Sequence, residues 1–366
     1  MTLDRRAVLA GTLAAAVAPQ VHASGRAAPI ADTVAGRVRG LEVDGIKVFK
    51  GVRYGADTAP RRFQPAQAAQ PWKGVVDALA YGPACPQTRA EEATSEDCLF
   101  LNVWTPALAD GKRRPVMVYV HGGAHANGSG SSPLYDGTWL ARTHDVVVVT
   151  VNHRLNCFGY AYLARLGDPD LADSGNVGNL DLILALEWVR DNIAAFGGDP
   201  GNVMTFGQSG GGAKLVTLMA MPRAAGLYHK VATMSGQHVT AMGPIHATIR
   251  AKAFMAQLGL KPDQTERLKT LPAGQLVEAL KMRDPLERKG SIVFWSVVDH
   301  RVLSRHPFYP DAPRESAHIP MIIGNTHDET KAFLGGDPKN FAMTWAELPG
   351  KLDNELVLDL SPEYLV

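Results

Sequence analysis

Apolar residues along this chain fall into two kinds of run, and their spacing separates strands from helices. Pro115-Val116-Met117-Val118-Tyr119-Val120 and Asp145 to Val151 (DVVVVTV) are near-continuous apolar stretches of strand length. That is the pattern of strands buried on both faces. Leu99 to Thr105, stopped by Pro106, reads as another strand, and Val231 to Met234 as a further one. Ile319 to Gly324 restores a strand late in the chain, with Pro320 confined to its start or to a sheet edge. Leu180 to Ala195 instead spaces Leu182, Leu186, Val189 and Ile193 along one face, which predicts a helix ended by Gly197-Gly198. Asp32 to Tyr54 runs through alternating Val34, Gly36 and Val38 to Asp44-Gly45 and returns through Ile46, Val48 and Phe49, as a hairpin does. Residues 55–98 are rich in Pro, Gly and Ala and predict an ordered but irregular region. Residues 240–290 are helical and polar without a strand signal, and are expected to form an inserted helical cap over the active face. Apolar strands separated by helices imply an α/β fold with a mostly parallel, doubly wound sheet.

One stretch carries chemistry. Asn202 to Met221 opens as a strand, with Val203 to Phe206, meets Gly207-Gln208-Ser209-Gly210-Gly211, and continues as a helix from Ala213 to Met221 that Pro222 stops. Strand, GxSxG and helix make a nucleophile elbow, a turn tight enough to need glycine two residues before and after the serine. The turn lifts the Ser209 hydroxyl clear of the sheet, where a base and a substrate can both reach it. A serine attacking a carbonyl needs donors for the oxyanion that forms. His121-Gly122-Gly123, at the end of a buried strand, can supply backbone N–H groups from Gly122 and Gly123, joined by that of Gly210. Alone, the same three residues could be a simple turn.

Composition changes this picture little. At 366 residues and 46% hydrophobic, the chain is long enough for a large core. A formal net charge of +1, with no basic run, argues against nucleic acid and against a charged membrane surface as partners. The N-terminus differs: Arg5-Arg6, an apolar run from Ala7 to Ala18, and Val21-His22-Ala23 have the layout of a twin-arginine signal peptide over residues 1–23. The alternative is an N-terminal helix of the folded domain. The signal reading makes residues 24–366 one exported, periplasmic or secreted domain without a membrane span. In an oxidising compartment Cys85 and Cys98 could bridge across a short polar loop, whereas Cys157 reads as a small buried hydrophobe. Neither Cys nor His spacing fits a zinc site, so no metal or other cofactor is expected.

Longer stretches resemble the type-B carboxylesterases, the carboxylesterase and cholinesterase family of α/β-hydrolases. FKGVRYG at 49–55, RFQPAQAAQPWKGVVDALAYGPACPQ at 62–87, SEDCLFLNVWTP at 95–106, VTVNHRLNCFGY at 149–160 and FGQSGGGAK at 206–214 carry the likeness. It runs from about Gly36 onward. It implies a carboxylic ester hydrolase acting on small-molecule esters, with an α/β-hydrolase fold. It also implies a Cys85–Cys98 disulfide, a Glu96–Arg154 ion pair and a structural role for Asp299. Gly324-Asn325-Thr326-His327-Asp328-Glu329 matches the family's acid motif, which makes Glu329 the triad acid, although Asp328 and Glu329 could equally cap the following helix. Three departures stand out. Gln208 replaces a common Glu, and His125 replaces a common aromatic beside the acyl pocket. Finally, all twelve histidines precede Glu329, although the fold's triad order is serine, acid, histidine. The chain is therefore expected to be incomplete at its C-terminus, short of its general base, with apolar surface around Leu356 to Leu360 uncovered. Two functions remain open: a serine esterase, or a non-catalytic α/β-hydrolase-fold binding module.

Overall fold

The computed structural model describes residues 28–286 and 290–347. The signal-peptide layout over residues 1–23 and the Leu356 to Leu360 segment lie outside the described residues. The centre of the molecule is an eight-stranded sheet. Its strands are β3 (Leu41–Val43), β4 (Ile46–Arg53), β6 (Phe100–Thr105), β7 (Arg114–Val120), β8 (Val147–Val151), β9 (Gly198–Gln208), β10 (Lys230–Met234) and β11 (Met321–Gly324). Across the sheet they run β11-β10-β9-β7-β8-β6-β4-β3. The first five in that order are parallel, and the remaining pairings are antiparallel. All five residues of β8 are buried, as the DVVVVTV run demands of a strand covered on both faces.

Helices link and cover these strands. They are α1 (Thr138–His144), α2 (Asn156–Tyr160), α3 (Val177–Asn192) and α4 (Gly210–Met219), with α5 (Pro244–Gln257), α6 (Thr265–Thr270), α7 (Ala273–Ala279) and α8 (Glu329–Leu334) later in the chain. The helix expected from Leu180 begins three residues earlier and is buried nearly all round, Leu180, Ile183, Leu184 and Trp188 included, rather than along one face. It packs against α2, α4 and β9 together, so only Glu187, Arg190 and Asp191 towards its end reach water. The 240–290 stretch holds α5, α6 and α7, inserted between β10 and β11.

Two local expectations need correction. The hairpin does turn at Asp44-Gly45, both with positive φ (50° and 81°), but its first arm is only Leu41–Val43. Val34 and Val38 belong elsewhere. Thr33 and Gly36 exchange backbone hydrogen bonds in a turn that exposes Val34, and Val38 lies in a separate sheet of β1 (Ile30–Asp32), β2 (Arg37–Arg39) and β5 (Val75–Asp77). The irregular region 55–98 thus contributes a strand of its own. The expected Glu96–Arg154 pair is also absent. Arg154 is held by Asp181 of α3 through Nε–Oδ2 (2.8 Å) and Nη2–Oδ1 (2.6 Å), fully buried. Glu96 instead grips Arg62, whose Nη1 reaches the carbonyls of Leu268 (3.1 Å) and Leu271 (2.7 Å) in the inserted helices. Each guanidinium is saturated by a different carboxylate, so neither is left to cross over.

The cysteines are free thiols, all buried. Cys85 and Cys98 hydrogen-bond to one another rather than bridging. That bond, with burial, pushes the Cys98 thiol well above its ordinary range.

Candidate active site

Strand β9 ends at Gln208 and α4 begins at Gly210, leaving Ser209 alone on the turn between them. Its φ of 53° and ψ of −127° are outside the regions an L-residue occupies comfortably, a strain worth roughly 1–3 kcal/mol that the surrounding structure must sustain. The neighbouring glycines allow it: a Cβ on Gly211 would collide with the Val120 carbonyl, and one on Gly207 would stand 2.7 Å from the Gly211 carbonyl carbon. The serine is pinned from the other side by its own N–H, which donates to Met234 O (2.8 Å). The reading of Ala213 as the helix start shifts to Gly210, because the glycines of the turn already adopt helical geometry.

The loop after β7 comes against this turn. A Cβ built on Gly122 would lie 3.3 Å from Ser209 Cβ, and one on Gly210 would run into Ala124. Neither the Gly122 nor the Gly123 N–H donates to protein among the described residues. The Gly210 N–H, first in its helix, has no intrahelical acceptor. Gly122 thus lies beside Ser209, and its main-chain donor is left without a protein acceptor among the described residues, as an oxyanion site requires. The loop is fixed from behind. His121 Nδ1 lies 2.8 Å from Gly122 O, to which it donates, and Lys214 Nζ lies 3.3 Å from His121 O. Burial, helped by the nearby Lys214 charge, holds His121 down to about 3, so its ring is neutral.

Glu329 opens α8, just beyond the end of β11. Its carboxylate accepts from Thr326 Oγ1 (2.7 Å), and the hydroxyls of Ser235 and Thr326 hold it below the usual carboxylate range. Asp328 makes no side-chain cap bond. The same loop ends meet in the backbone: Ser235 N donates to Gly324 O (2.7 Å), and Gly236 packs on the Ser209 carbonyl. The ends of β9, β10 and β11 thus gather Ser209, Ser235 and Glu329 along one edge of the sheet. No imidazole joins them. Among the described residues Ser209 Oγ and the Glu329 carboxylate have no hydrogen bond to a histidine, and His327 is exposed and paired with Asp328 (3.2 Å).

A cavity of about 710 Å³ opens next to this edge. Ala124, which touches Gly210, and His238, close to Gly236, are in its wall, with Ile292, Phe294 and Trp295 opposite. His125, singled out in the sequence as a departure, also lines it. Its Nε2 is 3.4 Å from Ser296 Oγ and its ring meets Tyr160 edge-on. Burial pushes both His125 and His238 below the ordinary histidine range. Gln208 is exposed at the strand end, with its Oε1 near Gly122. Asp299 accepts the N–H groups of Arg301, Val302 and Leu303 and the amide of Asn176, so it anchors a turn. The sequence reading missed the cavity wall of Leu280, Lys281 and residues 290–295, which has no motif, and Lys214, whose one signal was a charge inside an apolar helix. Among the described residues no group of three or more His, Cys, Asp or Glu is placed to hold a metal ion, and no helix is long and apolar enough to cross a membrane.

Comparison with known proteins identifies the family and the fold. The family model described as the carboxylesterase family matches residues 27–359. A para-nitrobenzyl esterase of Bacillus subtilis (strain 168) is 37% identical over 352 residues, covering 92% of this chain and 71% of that protein. A phenmedipham hydrolase of Pseudarthrobacter oxydans is 36% identical over 330 residues, covering 85% of this chain and 64% of the other. The solved structure of a Geobacillus stearothermophilus carboxylesterase superposes with a TM-score of 0.81 at 40% identity, over 89% of this chain and 67% of that one. The chain thus spans about two thirds of the length of such relatives, and its fold is that of the α/β-hydrolase esterases.

Proposed function

The chain belongs to the carboxylesterase family of carboxylic ester hydrolases, and on that premise we propose that Ser209 is its nucleophile in ester hydrolysis. The observation that carries this is the strained Ser209 backbone on the strand-to-helix turn, with the Gly122 loop packed against it. A binding module has no use for such strain. In the first step Ser209 Oγ adds to the ester carbonyl carbon while its proton passes to a base. The carbonyl oxygen takes the negative charge, facing the N–H groups of Gly122, Gly123 and Gly210. Collapse breaks the bond to the alcohol oxygen, which leaves with a proton, and water then releases the acid from the acyl-serine.

The base is a finer point. Ser209 and Glu329 share an edge of the sheet, yet among the described residues no imidazole stands with either. The proposal is that the histidine comes from outside the described residues, with Glu329 orienting it. The competing reading, a non-catalytic module, draws on the same gap. The apolar wall of Ile292, Phe294 and Trp295 suits an aryl or benzyl group, and the name of the para-nitrobenzyl esterase points the same way. Export by the Arg5-Arg6 segment is proposed as well, and N-terminal sequencing of periplasmic material should then begin near Ser24.

The test uses a fluorophosphonate probe and a short-chain aryl ester on the full chain. Ser209 should be the labelled residue, and Ser209→Ala should abolish labelling and turnover with melting nearly unchanged, since only one hydroxyl is lost from a turn. Equal turnover by wild type and Ser209→Ala would rule the nucleophile out. Labelling without turnover would place the defect in hydrolysis of the acyl-serine, and absence of both would favour the binding module.

A further inference from the structure

Lys214 is an expensive residue to explain. It lies on the second turn of α4 and has no accessible surface, in a helix all of whose residues are buried. Among the described residues no carboxylate pairs with it, and its one hydrogen bond runs from Nζ to His121 O, 3.3 Å away. Burying an ammonium without a counter-charge costs several kcal/mol, and such a cost is retained only where the charge or its donors are used. The groups facing it come from two elements. They are the rings of His121 and His125 in the loop after β7 and of His153 after β8, all held below the ordinary histidine range by burial. His121 and His153 stack at 4.8 Å, and both ring nitrogens of His153 lack a partner among the described residues. None of these rings can neutralise a cation.

The acceptor it has chosen matters. The His121 carbonyl and the Gly122 N–H belong to one planar peptide, so a bond that fixes the oxygen on one side fixes the N–H on the other. Donation to the carbonyl also polarises that amide and strengthens its N–H as a donor. The adjacent peptide, from Gly122 O to Gly123 N, is fixed in the same manner by His121 Nδ1. Resting on the assignment of Ser209 as nucleophile, we propose that Lys214 is a positioning residue of the oxyanion site. Its ammonium sets the plane of the 121–122 peptide and aims the Gly122 N–H at the substrate oxygen. Because burial pushes Lys214 down to about 7, the aim should weaken as pH rises through neutrality.

Two measurements on the full chain test this. In amide NMR, the Gly122 resonance of the wild type should titrate with a midpoint near 7, while Gly123, fixed by a ring that stays neutral there, should not. Lys214→Met, close in length but without donors, should remove the Gly122 titration. It should also slow fluorophosphonate labelling of Ser209 by about tenfold to a hundredfold, short of the ~10²–10³ expected for loss of an oxyanion donor itself. Lys214→Arg should restore part of the labelling rate without restoring the titration, because a guanidinium stays charged throughout. A flat Gly122 resonance in the wild type, or a Lys214→Met chain labelled at the wild-type rate, would overturn the role of Lys214 while leaving Ser209 as nucleophile. A wild-type chain in which Ser209 is never labelled would instead overturn the nucleophile assignment. Should Lys214→Met fail to fold, the wild-type titration decides the matter alone.

Discussion

At the scale of single residues, the site is marked by groups whose placement is costly. Ser209 holds a strained backbone and Lys214 an unpaired charge, and both lie within two turns of the same helix start. The cost of Lys214 has a pH signature in stability as well as in chemistry. Its pKa falls from 10.5 in an exposed lysine to about 7 in the folded chain. Between those values the unfolded chain binds a proton that the folded chain does not, so stability rises with pH across that window. Below about 7 both states carry the proton and the dependence vanishes. Lys214→Met removes the group, so its stability advantage over the wild type should be largest near pH 7 and shrink towards pH 10, by up to about 1.4 kcal/mol per pH unit. Urea unfolding at several pH values measures this. A constant difference between the two proteins would show that the folded and unfolded pKa values of Lys214 coincide. Ser209 was legible in the sequence because strain at a serine requires glycines around it, and glycines are visible. Lys214 was not, since a lysine within a helical run reads as a solvated face until the neighbouring elements are seen to enclose it.

At the scale of elements, the strands were legible where burial on both faces leaves no polar position, as in β7 and β8. What could not be read was pairing. The separate β1-β2-β5 sheet and the Arg154–Asp181 pair depend on which segments meet, and nothing in the local pattern around Val38 or Arg154 encodes that. The elbow is the exception, because its sequence and its contact partner are both dictated by one close approach. Gly211→Ala would drive a methyl group into the Val120 carbonyl, so the elbow and β7 would have to separate. Overpacking of this kind costs about 1–3 kcal/mol, and here it would also displace the Gly122 and Gly123 donors. The variant should melt below the wild type and lose Ser209 labelling together, and retention of full labelling would mean that the loop yields more readily than its contacts suggest. The thiols belong to this scale too, because they tie the 84–98 loop to the segment ahead of α2, where Leu155 N donates to Cys85 Sγ (3.2 Å). With Cys98 and Cys157 both raised by burial or bonding, the folded reduced chain should resist alkylation at all three cysteines until it is denatured. Chain oxidised while folding should yield the Cys85–Cys98 peptide pair with Cys157 free. Recovery of Cys157 in a bridge would sink that pairing.

At the scale of the whole molecule, the two edges of the large sheet are unlike. The β3 edge is three residues long and carries the Glu42–Lys47 ion pair (3.5 Å) across its hairpin, devices that discourage strand addition. At the β11 edge the balance reverses. Ile322 and Ile323 are 69% and 61% exposed, Met234 on the adjoining strand is 40% exposed, and Phe333, Phe341 and Trp345, nearby in sequence, are exposed as well. Among the described residues no strand pairs with the outer side of β11. An open parallel edge flanked by aliphatic and aromatic side chains is a template for association, and no net charge of consequence keeps copies apart, since the chain carries only +1. The purified 366-residue chain should therefore bind a hydrophobic dye and associate with rising concentration, as seen by sedimentation velocity. Ile322→Lys combined with Ile323→Glu should suppress both effects while leaving the far-UV dichroism unchanged, because neither side chain contributes to the buried core. A wild-type chain that sediments as a single monomer at all concentrations, with no dye binding, would show that this edge is covered. The residues around 348–366 would then be the first place to look for the cover.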